Sequence, residues 1–280
     1  MPELPEVETV RRGLERWCLN TKIVEIQTLH PRSTSLRSFT PLDVLIGSRI
    51  TRISRRGKFL WFVLDGPMAL VAHLGMSGQF RVQPIGLPDE KHLRARLTLK
   101  NIGRSRKISE LRFVDQRTFG WLAVSPYQGE IPLLVEHISP DIFDPLFDRR
   151  SVISKFHSKR IEIKKVLLDQ SVMSGVGNIY ADEALWRAKL HPQTDPSTLS
   201  ARKISTLLLS VESVMSQALV EGGTSFDSLY TDVNGNSGYF ENSLNAYGRT
   251  DQPCTKCMTL IVRIYVGGRS SHFCPRCQRL

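Results

Sequence analysis

KIVEIQTL (22–29), RITRI (49–53), FLWFVL (59–64), MALVAHL (68–74), ARLTL (95–99), LRFVD (111–115) and FGWLAV (119–124) follow one another in the first half of the chain, mostly separated by Gly, Pro, Asp or Asn turns. Short β-rich runs at this spacing predict an antiparallel sandwich or barrel rather than βαβ units. Upstream, Pro5 to Trp17 reads as a helix. Val7, Val10, Leu14 and Trp17 recur at helical spacing, Pro5 suits the first turn, and Glu6 and Glu8 favour its positive end. Downstream, residues 128–147 carry three prolines and several acidic residues without sustained periodicity, as a linker does. Beyond it, 161–168 and 179–188 read as helices joined through SGVGN (174–178), and 205–220 as a further amphipathic helix. The Gly-rich polar stretch from Gly222 to Phe240 reads as a long loop of the kind that often carries function.

The expected fold class is therefore α+β in two domains. An N-terminal helix and antiparallel β-sandwich (1–130) lead through a linker (131–149) to a helical domain with a helix-turn-helix (150–248), and a four-cysteine hairpin (249–280) follows. With 41% hydrophobic and 8% aromatic residues the chain is far from the composition of disordered proteins. Its 38 Lys plus Arg against 27 Asp plus Glu give a formal net charge of +11, so a polyanion is the first partner to consider. The opening MPELPEVETVRRGLERW places acidic residues where a secretory signal would carry lysines. The apolar runs are far shorter than the roughly 20 residues that cross a bilayer, so no membrane partner and a cytoplasmic place are expected.

Cys254-x2-Cys257, sixteen residues and Cys274-x2-Cys277 have the spacing of a structural zinc site, one Zn²⁺ held by four thiolates. Four sulfur ligands leave no open coordination position, so such a zinc builds structure and performs no chemistry. The intervening MTLIVRIYVGGRSSHF reads as a hairpin with Gly267-Gly268 at its tip. From Cys254 to the end there are five basic residues and no acidic one, and Arg269, just past the tip, is best placed to reach outward.

Two further places carry chemistry. The glycine turn ahead of the 179–188 helix would aim backbone N–H groups at a phosphate, with Asn178 as the helix cap and Lys164 and Lys165 nearby. At the other end of the chain, trimming of Met1 ahead of the small Pro2 would leave a free secondary amine beside Glu3, whereas a retained Met1 would block it. An α-amine titrates near 7.7–8.0, so about a tenth is unprotonated at neutral pH without a dedicated base. Attack by a secondary amine on a sugar C1′ gives a cationic iminium, which acidifies the C2′ hydrogen and opens a route to strand scission.

MPELPEVETVRRGLE, RRGK (55–58), HLGMSG (73–78), FVDQRTFG (113–120), LLDQSVMSGVGNIYADEALW (167–186) and YGR ahead of the four cysteines occur in one order. Together they resemble the bacterial formamidopyrimidine-DNA glycosylases over essentially the whole chain. The resemblance implies a base-excision-repair enzyme that removes 8-oxoguanine and formamidopyrimidines from duplex DNA and nicks the abasic site. It implies Pro2 as nucleophile, Glu3 as proton donor, Lys58 as a second catalytic donor and Arg269 as an aid to elimination. Met76, Arg117 and Phe119 match the family's wedge, which fills the gap left by a flipped nucleotide. His92, Arg160, Lys164 and Asn178 match its backbone contacts, and the loop near Thr224–Tyr239 would close over the lesion. The partner is double-stranded DNA with oxidised bases or abasic sites, met by a nucleoid-associated monomer. Gln116 departs from the proline more usual in that motif, which leaves its backbone less constrained. The alternatives are an endonuclease VIII-like enzyme for oxidised pyrimidines, against which Leu4 and Val7 speak, and a catalytically silent DNA-binding protein.

Overall fold

The computed structural model of the chain describes residues 1–34, 40–102, 107–223 and 240–280; the expected lesion loop near Thr224–Tyr239 lies outside them. The described residues divide into two compact units, Met1–His137 with Gly222 and Gly223, and Ile138–Glu221 with residues 240–280.

In the first unit, helix α1 (Leu4–Cys18) precedes eight strands: β1 (Thr21–Thr28), β2 (Ile50–Arg56), β3 (Phe59–Leu64), β4 (Met68–His73), β5 (Gly78–Pro84), β6 (Leu93–Asn101), β7 (Ile108–Asp115) and β8 (Trp121–Pro126). They form two four-stranded antiparallel sheets, ordered β1-β6-β7-β5 and β2-β3-β4-β8. Seven of these strands coincide with the β-rich runs. The eighth, β5, has only Phe80 and Val82 as strong apolar residues, and its pairing with β7 supplies what its own pattern lacks.

One core joins both sheets to the helix. Val7, Val10 and Leu14 of α1 cluster with Ile23, Leu97 and Phe113 from one sheet and Ile53, Phe62 and Leu122 from the other. The Phe62 and Phe80 rings meet edge to face with centroids 5.7 Å apart, one from each sheet. Each such side chain contributes about 1.5–3 kcal/mol through burial, and Phe62→Ala, leaving a cavity, would cost about 3–5 kcal/mol. β6 alternates cleanly, with Leu93, Ala95, Leu97 and Leu99 turned to the core. β3 is buried along nearly its whole length, which is why FLWFVL reads as an unbroken apolar run.

Helix α1 is also tied down by charge. Glu8 accepts from Arg11 and Arg12 of its own helix and from Arg55 of β2 at 3.1 Å. Arg11 reaches on to the carbonyl of Ile53 at 3.1 Å. The amino terminus therefore leaves from a helix held against β2 by packing and by a buried ion cluster.

The second unit holds α2 (Arg149–Ser158), α3 (Ile163–Leu168), α4 (Asn178–Ala188), α5 (Ala201–Val220) and a terminal hairpin of β9 (Val262–Val266) and β10 (Arg269–Phe273). Of these, α2 has no counterpart in the sequence reading. It buries only Val152 and Phe156, one turn apart, and starts at an Asp148 cap that accepts from Arg150 N–H at 2.9 Å. α5 begins four residues before the expected Ser205, because the Ser200 side chain caps it by accepting from Lys203 N–H.

Candidate active site and nucleic-acid interface

In the first unit the chain enters α1 through Pro2, which is buried, and Glu3, which is 2% exposed. Glu3 is the helix N-cap and forms a capping box with Glu6, its own N–H donating to Glu6 Oε2 at 2.9 Å. With Met1 in place, burial lowers the pKa of the terminal ammonium below its ordinary value; Glu3 and Glu6 oppose that shift, and Lys58 and Arg117 add to it. Those four side chains thus lie within electrostatic reach of the amino terminus. Lys58 sits in the two-residue turn between β2 and β3 and is 7% exposed. The turn is possible because Gly57 takes a positive φ of 56°, open to glycine at little steric cost.

Met76 lies in the β4–β5 turn and is half-buried, while Arg117 and Phe119 are exposed on the β7–β8 loop, with the guanidinium carbon 6.0 Å from the ring centroid. The two loops touch through their backbones. Gly75 has φ 59°, and a Cβ placed there would lie 2.4 Å from Gly120 N. Asp115, fully buried, accepts from Ser77 Oγ on one loop and from Arg117 N–H (3.2 Å) and Gly120 N–H (2.7 Å) on the other. This carboxylate holds Thr118 at φ 55°, an uncommon conformation for a β-branched residue and costing about 1–3 kcal/mol. Neither Ser77 nor Asp115 stood out in the sequence, since their pairing spans 38 residues. His92, half-buried before β6, accepts through its carbonyl from Asp115 N–H at 2.9 Å.

The second unit gathers the remaining residues differently from expectation. Asn178 is the first residue of α4, not its cap; Gly177 occupies that position and no side chain caps the helix. The Asn178 amide nitrogen lies 3.4 Å from Ser270 Oγ, and its buried Oδ1 has no hydrogen-bond partner. An uncapped helix start beside an unsatisfied amide is an arrangement that accepts a phosphate. Arg160 is exposed just ahead of α3 and donates to Ser197 Oγ. Lys164, expected at the DNA backbone, is 0% exposed: its Nζ bonds Asp182 Oδ1 at 2.6 Å and the Ser270 carbonyl at 2.7 Å. Asp182 in turn accepts from Ser271 Oγ at 2.9 Å and His272 N–H at 2.8 Å, fastening β10 to α4. Arg269 is exposed at the start of β10, one residue before the carbonyl that Lys164 grips. The neighbouring Glu183 accepts N–H bonds from Asn245, Ala246 and Tyr247 at 2.8–3.0 Å, and burial pushes its carboxyl up in pKa.

Sγ atoms of Cys254, Cys257, Cys274 and Cys277 lie within 4.8 Å of one another. Four sulfurs about 2.3 Å from a common tetrahedral centre would stand about 3.8 Å apart, so the donor set fits one zinc ion. The cluster packs on Trp186 of α4, whose indole N–H points at Cys254 Sγ at 3.4 Å. Among the described residues no helix is long and apolar enough to cross a membrane.

Three family models match in sequence: the formamidopyrimidine-DNA glycosylase N-terminal domain over residues 1–122, its H2TH domain over 138–229, and a zinc finger found in FPG and IleRS over 251–280. The formamidopyrimidine-DNA glycosylase of Streptomyces coelicolor is 51% identical over 285 residues, covering 100% of this chain and 98% of that protein. A variant of Lactococcus lactis FPG bound to a Fapy-dG containing DNA is similar throughout, with 34% identity, a TM-score of 0.86 and 100% of both chains covered. The L. lactis enzyme bound to an abasic site containing DNA gives 34% identity and a TM-score of 0.85, covering 99% of this chain and 100% of that one. With its helix-led sandwich, its helical unit and a four-cysteine finger that holds one structural zinc, the chain belongs to the formamidopyrimidine-DNA glycosylase family, base-excision-repair enzymes of oxidised purines.

Proposed function

We propose that the nucleophile of this glycosylase is the secondary amine of Pro2, freed by removal of Met1. The observation that carries the reading is the place of Pro2: it is buried at the head of α1 beside the buried Glu3, and Glu3, Glu6, Lys58 and Arg117 lie within electrostatic reach of the amino terminus. Pro2 N attacks C1′ of the damaged nucleotide, the glycosidic bond breaks, and its electron pair leaves with the base, which takes up a proton. Glu3 or Lys58 supplies that proton. The C1′–O4′ bond then breaks, O4′ takes up the proton released from Pro2 N by way of Glu3, and the bond between Pro2 and C1′ becomes an iminium whose positive charge acidifies C2′–H. Loss of that proton expels the 3′ phosphate, and a second elimination expels the 5′ phosphate, with Arg269 stabilising the departing charge. Water then hydrolyses the iminium and returns the amine.

In this reading residues 1–130 carry the chemistry, 131–149 form the linker, 150–248 hold the DNA backbone and 249–280 add the finger. Asn178 with the start of α4, Arg160 and His92 contact phosphates, and Met76, Arg117 and Phe119 fill the stack when the lesion is turned out. Lys164 acts from inside by fixing Ser270 rather than by touching DNA. In this reading the enzyme works on duplex DNA in the cytoplasm, in association with the nucleoid.

Borohydride reduction tests the nucleophile directly, because only an iminium is reduced to a covalent protein–DNA adduct. Wild-type protein should be trapped on lesion-containing duplex. Pro2→Gly should lose trapping by at least about a hundredfold while binding with its salt sensitivity intact. Undiminished trapping of the variant would place the nucleophile elsewhere, and no adduct from the wild type would favour a silent DNA-binding protein.

A further inference from the structure

Lys58, Met76 and Phe119 stand on three separate turns, and each turn is attached to one member of a ring cluster. Phe59, His73 and Trp121 are register partners across β3, β4 and β8. The rings of Phe59 and His73 are 4.9 Å apart, and those of His73 and Trp121 are stacked at 6.0 Å and 18°. Lys58 immediately precedes Phe59, Met76 follows His73 by three residues, and Phe119 precedes Trp121 by two. The middle ring has an additional polar role. His73 Nδ1 accepts the backbone N–H of Gly75 at 3.1 Å. An imidazole accepting at Nδ1 carries its proton on Nε2, so the tautomer is set by this bond. Gly75 is also where the Met76 turn presses on the Phe119–Gly120 peptide.

We propose that His73 is a positioning residue for the wedge. Its stacked ring fixes where the β4–β5 turn leaves the sheet, and its Nδ1 fixes the Gly75 peptide, so that Met76 and Phe119 are presented together beside Lys58. Losing the acceptor frees Gly75 N–H in a turn whose backbone has no slack against Gly120, and both wedge residues shift with it. The role acts before the base leaves, since insertion accompanies extrusion of an intact nucleotide. It rests on the wedge reading of Met76, Arg117 and Phe119 given above.

The test uses the full-length zinc-loaded protein, with 2-aminopurine placed next to the lesion as a fluorescent report of insertion. His73→Phe keeps a ring without an acceptor, and His73→Asn keeps an acceptor oxygen close to the position of Nδ1. His73→Phe should slow insertion and excision of an intact lesion about tenfold, change cleavage of a ready-made abasic site by less than roughly twofold, and keep a wild-type thermal midpoint. His73→Asn should recover most of the insertion rate. Wild-type insertion by His73→Phe, a His73→Asn variant as slow as His73→Phe, or equal slowing of both reactions with a lowered midpoint would each overturn the assignment. Met76→Ala serves as control: if it is slow while His73→Phe is normal, the wedge stands and His73 has no part in it. If Met76→Ala also inserts at the wild-type rate, the wedge reading falls and this assignment with it.

Discussion

Lys164 shows how a residue's surroundings decide its role. A lysine on a helix of a basic protein invites assignment to a phosphate, but here the ammonium is enclosed with Asp182 and the Ser270 carbonyl, 18 and 106 residues away. Breaking a buried ion pair by deleting one partner leaves an uncompensated charge and costs about 3–5 kcal/mol. Lys164→Met should therefore lower the thermal midpoint by about 6–15 °C. A surface phosphate contact would instead leave the midpoint unchanged and flatten the salt dependence of binding, which thermal denaturation and binding titrations tell apart. Asp182 and Glu183 belong to the same lesson. Adjacent on α4, they take up hydrogen bonds from two distant segments, and neither long-range pairing leaves a trace in local sequence. The four cysteines were legible because two short spacings encode most of the coordination geometry, whereas Asp115 and Ser77 make a site only after the chain has folded.

At the scale of elements, α1 and the β4–β5 and β7–β8 loops connect the fold to the proposed reaction. Burial pushes the Glu8 carboxyl up, but hydrogen bonds and charge from Arg11, with Arg12 and Arg55, outweigh it and bring the pKa from 4.5 down to about 2. A depressed carboxylate stabilises the fold fully above the unfolded value near 4.5 and loses that contribution as pH falls toward 2. Allowing for solvent screening, Glu8→Gln should cost about 1–2 kcal/mol at pH 7 and make the acid limb of a stability curve shallower below pH about 4.5. A parallel acid limb in the variant would remove Glu8 from the account. On the loop side, Arg117→Ala should slow excision of an intact lesion about tenfold or more but barely affect an abasic substrate; equal slowing of both, measured in single turnovers, would contradict the wedge. Seven strands were legible because each concentrates β-branched or aromatic residues between turn formers. β5 and α2 were not: β5 has two strong apolar residues and depends on β7, and α2 buries only two of its three and depends on an Asp148 cap. Asn178 is the first helical residue rather than the cap for a related reason: Gly177 takes the extended cap conformation, and the Asn178 amide turns to Ser270 instead of capping the helix.

Across the whole molecule, the cationic excess is delivered by structure rather than by charge count. The finger has five basic residues and no acidic one from Cys254 onward, yet β9 and β10 alone are a two-stranded ribbon too small to hold a fixed shape in water. Two devices make it rigid: the four thiolates about one zinc, and the seat of the cluster on Trp186 with β10 held by Asp182. The second cannot replace the first, because Cys254 and Cys274 form part of the apolar seat itself. Removing zinc with a chelator, or one ligand by Cys257→Ser, should release the ribbon and leave the β-sandwich unit folded. Affinity for duplex DNA should fall at least about tenfold, and the slope of log Kd against log salt should drop by about one to two as Arg269 and its neighbours lose their phosphates. Emission from Trp186 should change in step with metal release, since its indole faces Cys254 and its ring lies 3.7 Å from the Lys256 ammonium. Undiminished affinity after the zinc has left would show that the ribbon keeps its shape by packing alone, and the metal would then have no part in holding DNA.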